Sequence, residues 1–186
     1  ALEAALRREG RFGFQITERD AGGQLVPADV RRSYVVVQYI EPYHGNEKAV
    51  GYDVYSNPVR RAALDMARDT GKPVATARIT LVQERGDQAG VLIFLPVYKG
   101  ASVPTDVDER RRDLLGYAVG VFRMGDVLAA AFEGLGARGI VARLLDETAS
   151  GPERQLATFR VDMNGQGRLL TTDAGAAPTG GLSWTT

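Results

Sequence analysis

The residues predict an α+β protein made of two small units in tandem. Three observations carry that prediction. Short β-rich runs alternate with segments of helical periodicity, strand–strand–helix–strand–strand is followed by strand–helix–strand–strand–strand, and a Pro-containing stretch, GASVPTDVD, separates the halves. The expected division is the end of a helix at 1–10, a first unit at 11–104 and a second at 105–186.

Each element has its own signal. ALEAALRRE is rich in helix formers and stops at Gly10, so it reads as the tail of a helix. FGFQITER at 12–19 alternates like a strand, AGGQLVPAD has the Gly and Pro content of a loop, and YVVVQYIEP at 34–42 is a β-rich second strand, followed by the loop YHGNEK. The helix at 58–70 is fully punctuated: Asn57 can cap it, Pro58 takes the first position, and Gly71 with Pro73 ends it. Its apolar face is expected at Val59, Ala63, Met66 and Ala67, with Arg60, Arg61, Arg68 and Asp69 pointing elsewhere. ITLVQE at 79–84 and AGVLIFLPVY at 89–98 read as a hairpin whose second strand is buried on both faces or covered by a helix. Beyond GASVPTDVD come a strand GYAVGVF at 116–122, a helix capped by Asp126, and three short strands, IVARLLDE, LATFRVDM and RLLTT.

Composition narrows the function classes. The 186 residues are 44% hydrophobic and 25% charged, enough for a sizeable core. Lys+Arg and Asp+Glu both count 23, and a chain with no net charge has no field to hold a polyanion, so nucleic acid is not the expected partner. The run Arg110–Arg111–Arg112 is flanked by carboxylates and reads as a solvated face. Without cysteine there are no disulfides, thiolate nucleophiles or cysteine zinc sites. The longest apolar run, VLIFLPV, falls far short of the ~20 residues that span a bilayer, and the N-terminus lacks the basic and apolar regions of a signal peptide. The chain reads as soluble, and equally as a fragment of something anchored.

Enzyme signatures are scarce. His44, the only histidine, sits in a polar Gly-containing loop and is expected to be exposed. The glycines form no phosphate-cradling loop, RGD at 85–87 reads as a hairpin tip, and the carboxylates of DVDE at 106–109 read as capping or solvating a segment. No acid–base pair, metal set or cofactor signature stands out, which leaves a binding or structural module. What remains is Asp53, between Tyr52 and Val54 in GYDVYSNP. One reading makes it a solvated turn residue before a helix. It lies too far upstream to cap that helix, however, and its neighbours have large apolar bodies. The other reading makes it a carboxylate facing a pocket, whose complement would be a ligand with two N–H donors.

The run GYD, then PVRRAALDMARDTGKPVATARITLVQ, then GVLIFLPVYKG, resembles the CHASE domain, the extracytoplasmic sensor of bacterial histidine kinases and diguanylate cyclases and of plant cytokinin-receptor kinases. ERRRDLLGYAVGVFRMGDVLAAAFEGL continues the likeness, which is strongest over about 50–135. The resemblance implies a long N-terminal stalk helix, a homodimer formed through it, and two PAS-like units with antiparallel sheets, distal then proximal to a membrane that is reached only by segments outside this chain. In cytokinin-binding members an aspartate pairs with the donor edge of the adenine, and it falls on Asp53; a leucine giving a backbone contact falls on Ala75, and a threonine of the central strand falls on Phe94. Phe94 is much bulkier than threonine, so the ligand's identity stays open. Alternation along the strands adds Leu92 on the Phe94 side, Val36 and Gln38 on one face of the second strand, and Tyr52 beside the aspartate.

Two functions compete. A sensor of a small, adenine-like or cytokinin-like molecule requires Asp53 to be buried against an open cavity. A structural or protein-interaction module requires a collapsed interior, with Phe94 filling the site and Asp53 bonded to the protein's own backbone amides.

Overall fold

A computed structural model describes Glu3, Arg8 and residues 13–81, 88–100, 102–136 and 138–170. The expected N-terminal helix therefore lies outside the described residues except for Glu3 and Arg8, as do the RGD triplet, the second half of ITLVQE and the end of RLLTT. The architecture is α+β, with antiparallel pairing in its small sheets. The chain forms two compact units, one from 1–76 with 92–120 and the other from 77–91 with 121–186, where the sequence suggested a single cut after 104.

In the first unit, β1 (Thr17–Arg19) and β2 (Leu25–Pro27) form an antiparallel hairpin in which Glu18 faces Val26. The turn closes on Asp20, whose carboxylate accepts from the Gln24 N–H at 2.8 Å. β2 occupies the stretch expected to be a loop. Its Gly and Pro content marked the turn correctly, but the LVP that follows needed only a partner three residues long to pair. The second expected strand, 34–42, is reduced to its beginning. Val36 bridges Asp53 antiparallel, and the Val37 N–H donates to Tyr52 O at 3.0 Å. No regular strand continues beyond it, since the partner segment bends at Gly51 (φ 87°) and is preceded by a 3-10 turn at Glu47–Ala49.

Helix α1 (Pro58–Thr70) has the expected boundaries. The Asn57 carboxamide accepts from the Arg60 N–H at 3.1 Å, Pro58 opens the helix, and Gly71 closes it in the left-handed conformation (φ 69°), its N–H donating to Ala67 O at 2.9 Å. The buried stripe differs from the expected one. It runs Arg60, Ala63, Leu64, Ala67, while Val59 and Met66 are exposed, Met66 by 57%. Both stripes have helical spacing, so periodicity alone could not choose between them. Leu64 is fully buried, and Arg60 enters by burying its stem and laying its guanidinium over the Tyr52 ring, 5.1 Å from the centroid.

β3 (Val74–Ala75) pairs antiparallel with β4 (Gly90–Tyr98), and β5 (Leu114–Arg123) completes a sheet in the order β3–β4–β5. Leu92, Phe94, Pro96 and Tyr98 of β4 are buried, whereas Leu95 and Val97 are exposed, so the distal half of β4 is covered on one face rather than two. The short α2 (Val107–Asp113) is capped by Asp106, which accepts from the Asp108 and Glu109 N–H groups, the capping role expected for DVDE.

The end of α1 is held by side chains. Tyr98 Oη donates to Arg68 O at 2.5 Å, Tyr117 Oη donates to Leu64 O at 3.0 Å, and Arg110 donates to Asp69 O and to the carbonyls of Pro104 and Thr105. Arg111 pairs with the Asp69 carboxylate at 2.6 Å and Arg112 with Asp113 at 2.9 Å. The arginine run is thus a clasp on α1 and not simply a solvated face. Hydrogen bonds from Arg111, then from Arg68, hold the Asp69 carboxyl well below the usual carboxylate range. A carboxyl depressed in the folded state contributes stability that is complete above its unfolded value of about 3.9 and is lost as pH falls through the folded one. Asp69→Asn is therefore expected to melt about 2–4 °C below the parent at neutral pH, the size of a partly exposed pair in a chain of this length. That gap should close as thermal melts are carried into acid, below about pH 4.

The second unit begins with Ile79 bridging Gly90 antiparallel. Helix α3 (Met124–Phe132) starts three residues earlier than expected, with Asp126 in its first turn rather than at its cap, and the Met124 N–H donates to Ala89 O at 3.0 Å. The last three strands, β6 (Ile140–Leu145), β7 (Gln155–Val161) and β8 (Gly167–Leu170), form an antiparallel meander. Ala89, Val91, Met124 and Ala157 make its core, with Leu128, Leu144 and Leu156 packed around them, and the Phe132 ring stacks on Phe159 at 5.9 Å.

Candidate functional site

The extended backbone at Asp53 is held from both sides: its N–H donates to Thr17 O at 2.7 Å, and its carbonyl accepts from the N–H and the hydroxyl of Ser56. Gly51, two residues earlier, has φ 87° and packs so closely that a Cβ there would lie 2.4 Å from Gln15 O, so only glycine fits. The carboxylate is completely buried. Oδ1 accepts from the Val35 N–H at 2.9 Å and the Tyr55 N–H at 3.1 Å, the second bond capping the 3-10 turn. Oδ2 accepts from Arg31 Nη1 at 2.9 Å.

Arg31 belongs to the irregular segment between β2 and Tyr34. Its other Nη bonds Glu18 on β1, so one guanidinium bridges two carboxylates. Burial opposes the charge of Arg31, but the bonds and charges of Glu18 and Asp53 outweigh it and raise its pKa. The Arg31 side chain is 30% exposed, against none for Asp53. A buried carboxylate thus ties three chain segments together, two through the backbone and one through a cation at the surface.

The expected site residues fall into two groups and two outliers. Asp53, Tyr52 and Val36 are brought together: Val36 bridges Asp53, and the buried Tyr52 ring lies beneath Arg60. Phe94 and Leu92 lie together on the buried side of β4. Phe94, with no exposed surface, faces Val74 in the register and meets the Tyr117 ring edge-on at 6.0 Å. The Leu92 N–H donates to Thr76 Oγ1 at 3.1 Å. Helix α1 packs against the 3-10 turn at 54–56 and against β3.

Ala75 pairs with Ile93 but is exposed at the sheet surface. Gln38 is also exposed and lines an open cleft of about 710 Å³ whose lining does not include Asp53. Sequence reasoning missed Arg31 and Glu18. An arginine 22 residues from its carboxylate, inside a segment with no periodicity, gives no signal of pairing. His44 is fully exposed, as expected. Among the described residues no cluster of three or more His, Asp or Glu could hold a metal, and no helix is long and apolar enough to cross a membrane.

Comparison with known proteins adds two findings. The sequence model of the CHASE domain matches residues 1–156. The chain is also similar to the hybrid signal transduction histidine kinase A of Dictyostelium discoideum, 26% identical over 160 residues. That match covers 83% of this chain but only 7% of the length of the kinase.

Proposed function

The chain belongs to the CHASE domain family of extracytoplasmic sensor domains, and from that premise we propose that it is the input part of a membrane-anchored signalling protein whose first unit binds a small molecule. The units are read as PAS-like, membrane-distal and membrane-proximal, on a dimer formed through the N-terminal helix, with a cytoplasmic output domain of the histidine kinase or cyclase class. Such a domain is a sensor and not a catalyst.

One observation carries the ligand reading. The Asp53 carboxylate is divided between permanent and replaceable partners. Oδ1 is tied to backbone amides, whereas Oδ2 is held by a single guanidinium on a segment without regular structure. A purine or cytokinin-like molecule, presenting N–H donors on one edge, would take the place of Arg31. Arg31 would then be released, and with it the bridge to Glu18. A ligand signals only by preferring one of two arrangements, and the held and released bridge supplies two.

The same carboxylate supports a second reading. Internal amide partners for Asp53, a fully buried Phe94 ring and a described cleft that Asp53 does not line are what that reading requires, and they favour a module that sets dimer geometry and answers to a protein partner unless Arg31 gives way to a ligand. A thermal-shift screen of purines, cytokinins and other heteroaromatics against the chain and its Arg31→Ala variant separates the two. Ligand at about a hundred times its dissociation constant stabilises by roughly 2.7 kcal/mol. Removing a competing guanidinium should enlarge a purine shift. No shift in either protein leaves the module.

A further inference from the structure

We propose that the place held by the Arg31 guanidinium is a subsite for a planar cation, an amidinium or guanidinium carried by the ligand. The inference rests on the sensor reading and narrows it, from a ligand edge with N–H donors to one that is also positively charged.

Three walls meet on that guanidinium. Nη1 donates to Asp53 Oδ2 at 2.9 Å, the other Nη donates to Glu18 Oε2, and the central carbon stands 5.9 Å from the centroid of the Tyr34 ring, inside the ~6 Å reach of a cation–π contact. Each wall is also fixed by bonds that do not involve the Arg31 side chain. Asp53 keeps the Val35 and Tyr55 amides on Oδ1. Glu18 sits in the β1–β2 pair opposite Val26, and its Oε1 accepts from the Asp29 N–H at 3.2 Å. The Tyr34 hydroxyl donates to Asp29 O and accepts from the backbone N–H of Arg31, both at 2.9 Å. The Arg31 backbone is thus anchored independently of its side chain. Walls that stand without their occupant are organised in advance for another of the same shape.

Charge and shape select the class. Glu18 and the fully buried Asp53 converge on one cation. A neutral molecule in its place restores hydrogen bonds but leaves two neighbouring carboxylates with their repulsion uncompensated. An ammonium brings its charge as a point and has no flat face. A guanidinium or amidinium lays its plane against a ring while its N–H groups point to carboxylates in two directions. Arg31 itself can leave toward water, because its side chain is 30% exposed.

Titration calorimetry with benzamidine, a cation at neutral pH, and benzamide, its neutral isostere, tests the charge. The parent chain should bind benzamidine about tenfold more tightly than benzamide, and Arg31→Ala should bind it more tightly still, because the internal competitor is gone. In the Arg31→Ala background, Glu18→Gln should weaken benzamidine severalfold and leave benzamide unchanged. If the variants fold poorly, the comparison of the two compounds on the parent decides. Equal affinity for both compounds, or benzamidine binding indifferent to Glu18→Gln, would overturn the proposal. So would benzamidine binding to Arg31→Ala alone, which would make Arg31 a permanent structural partner. A purine shift in the parent without benzamidine binding would overturn the cationic subsite and leave the sensor reading standing. Silence toward both classes would remove the two together.

Discussion

Asp53→Ala should be the most damaging single substitution in the first unit. It leaves the Val35 and Tyr55 amides without their acceptor in a fully buried position, and leaves Arg31 with Glu18 as its remaining carboxylate. A buried amide that loses its acceptor costs about 1–3 kcal/mol, so the two together, with the lost ion pair, lower the melting temperature of a chain of this length by roughly 10 °C. Asp53→Asn should cost less, because its carbonyl can still accept from both amides, although its NH2 then faces the Arg31 N–H where Oδ2 accepted and that bond is lost with the charge. The double variant Asp53→Ala with Arg31→Ala should lose less than the sum of the two single variants, since the Asp53–Arg31 bond can be lost only once, and circular-dichroism melts of the single and double variants measure that coupling. A drop of only a degree or two for Asp53→Ala would mean that water reaches the site and takes over the carboxylate's bonds, as an open pocket would allow.

Phe94→Ala should come close behind. The ring has no exposed surface, meets Tyr117 edge-on, and occupies the buried side of β4 opposite Val74. Truncating a buried phenylalanine costs about 3–5 kcal/mol, the spread reflecting how far the surroundings collapse into the cavity. Denaturant melts should show the midpoint falling with little change in slope. The smaller threonine that the cytokinin-binding members imply here makes a second comparison. Phe94→Thr should lose similar stability, and a purine that restores part of it would show that the vacated volume can be used by a ligand. A Phe94→Ala protein as stable as the parent would mean that the ring closes a space already open.

Much of the fold was legible wherever the signal was local. Helix α1 could be bounded to the residue because Asn57, Pro58 and Gly71 each act through neighbours only a few positions away. The strand at 90–98 announces itself by an apolar run, although Leu95 and Val97 in its second half are exposed. Legibility failed where the deciding partner was distant. The β-branched run at 34–42 has strand propensity along its whole length, yet pairing stops after Val37, where the partner segment bends at Gly51 next to the 3-10 turn Glu47–Ala49. Arg60 was assigned to solvent by its charge, while the Tyr52 ring, eight positions back, gives it a place inside. Asp53 stands out in the sequence as a carboxylate in unusual company, but its partners do not, because Arg31 and Val35 are chosen by the fold and not by spacing.

The order in which the chain visits its two units has a practical consequence for anyone dividing the molecule. Residues 1–76 belong to the first, 77–91 to the second, 92–120 to the first again and 121–186 to the second. A fragment ending at 104 would carry the 77–91 segment as a foreign insert and would lack most of the material that follows β4 in its own unit, β5 included. Neither half can be expressed by choosing a stop codon, and a sensor chimera joined at the apparent boundary would exchange parts of both units at once. The unit of inheritance here, for gene fusion as for the protein engineer, is the whole interleaved pair.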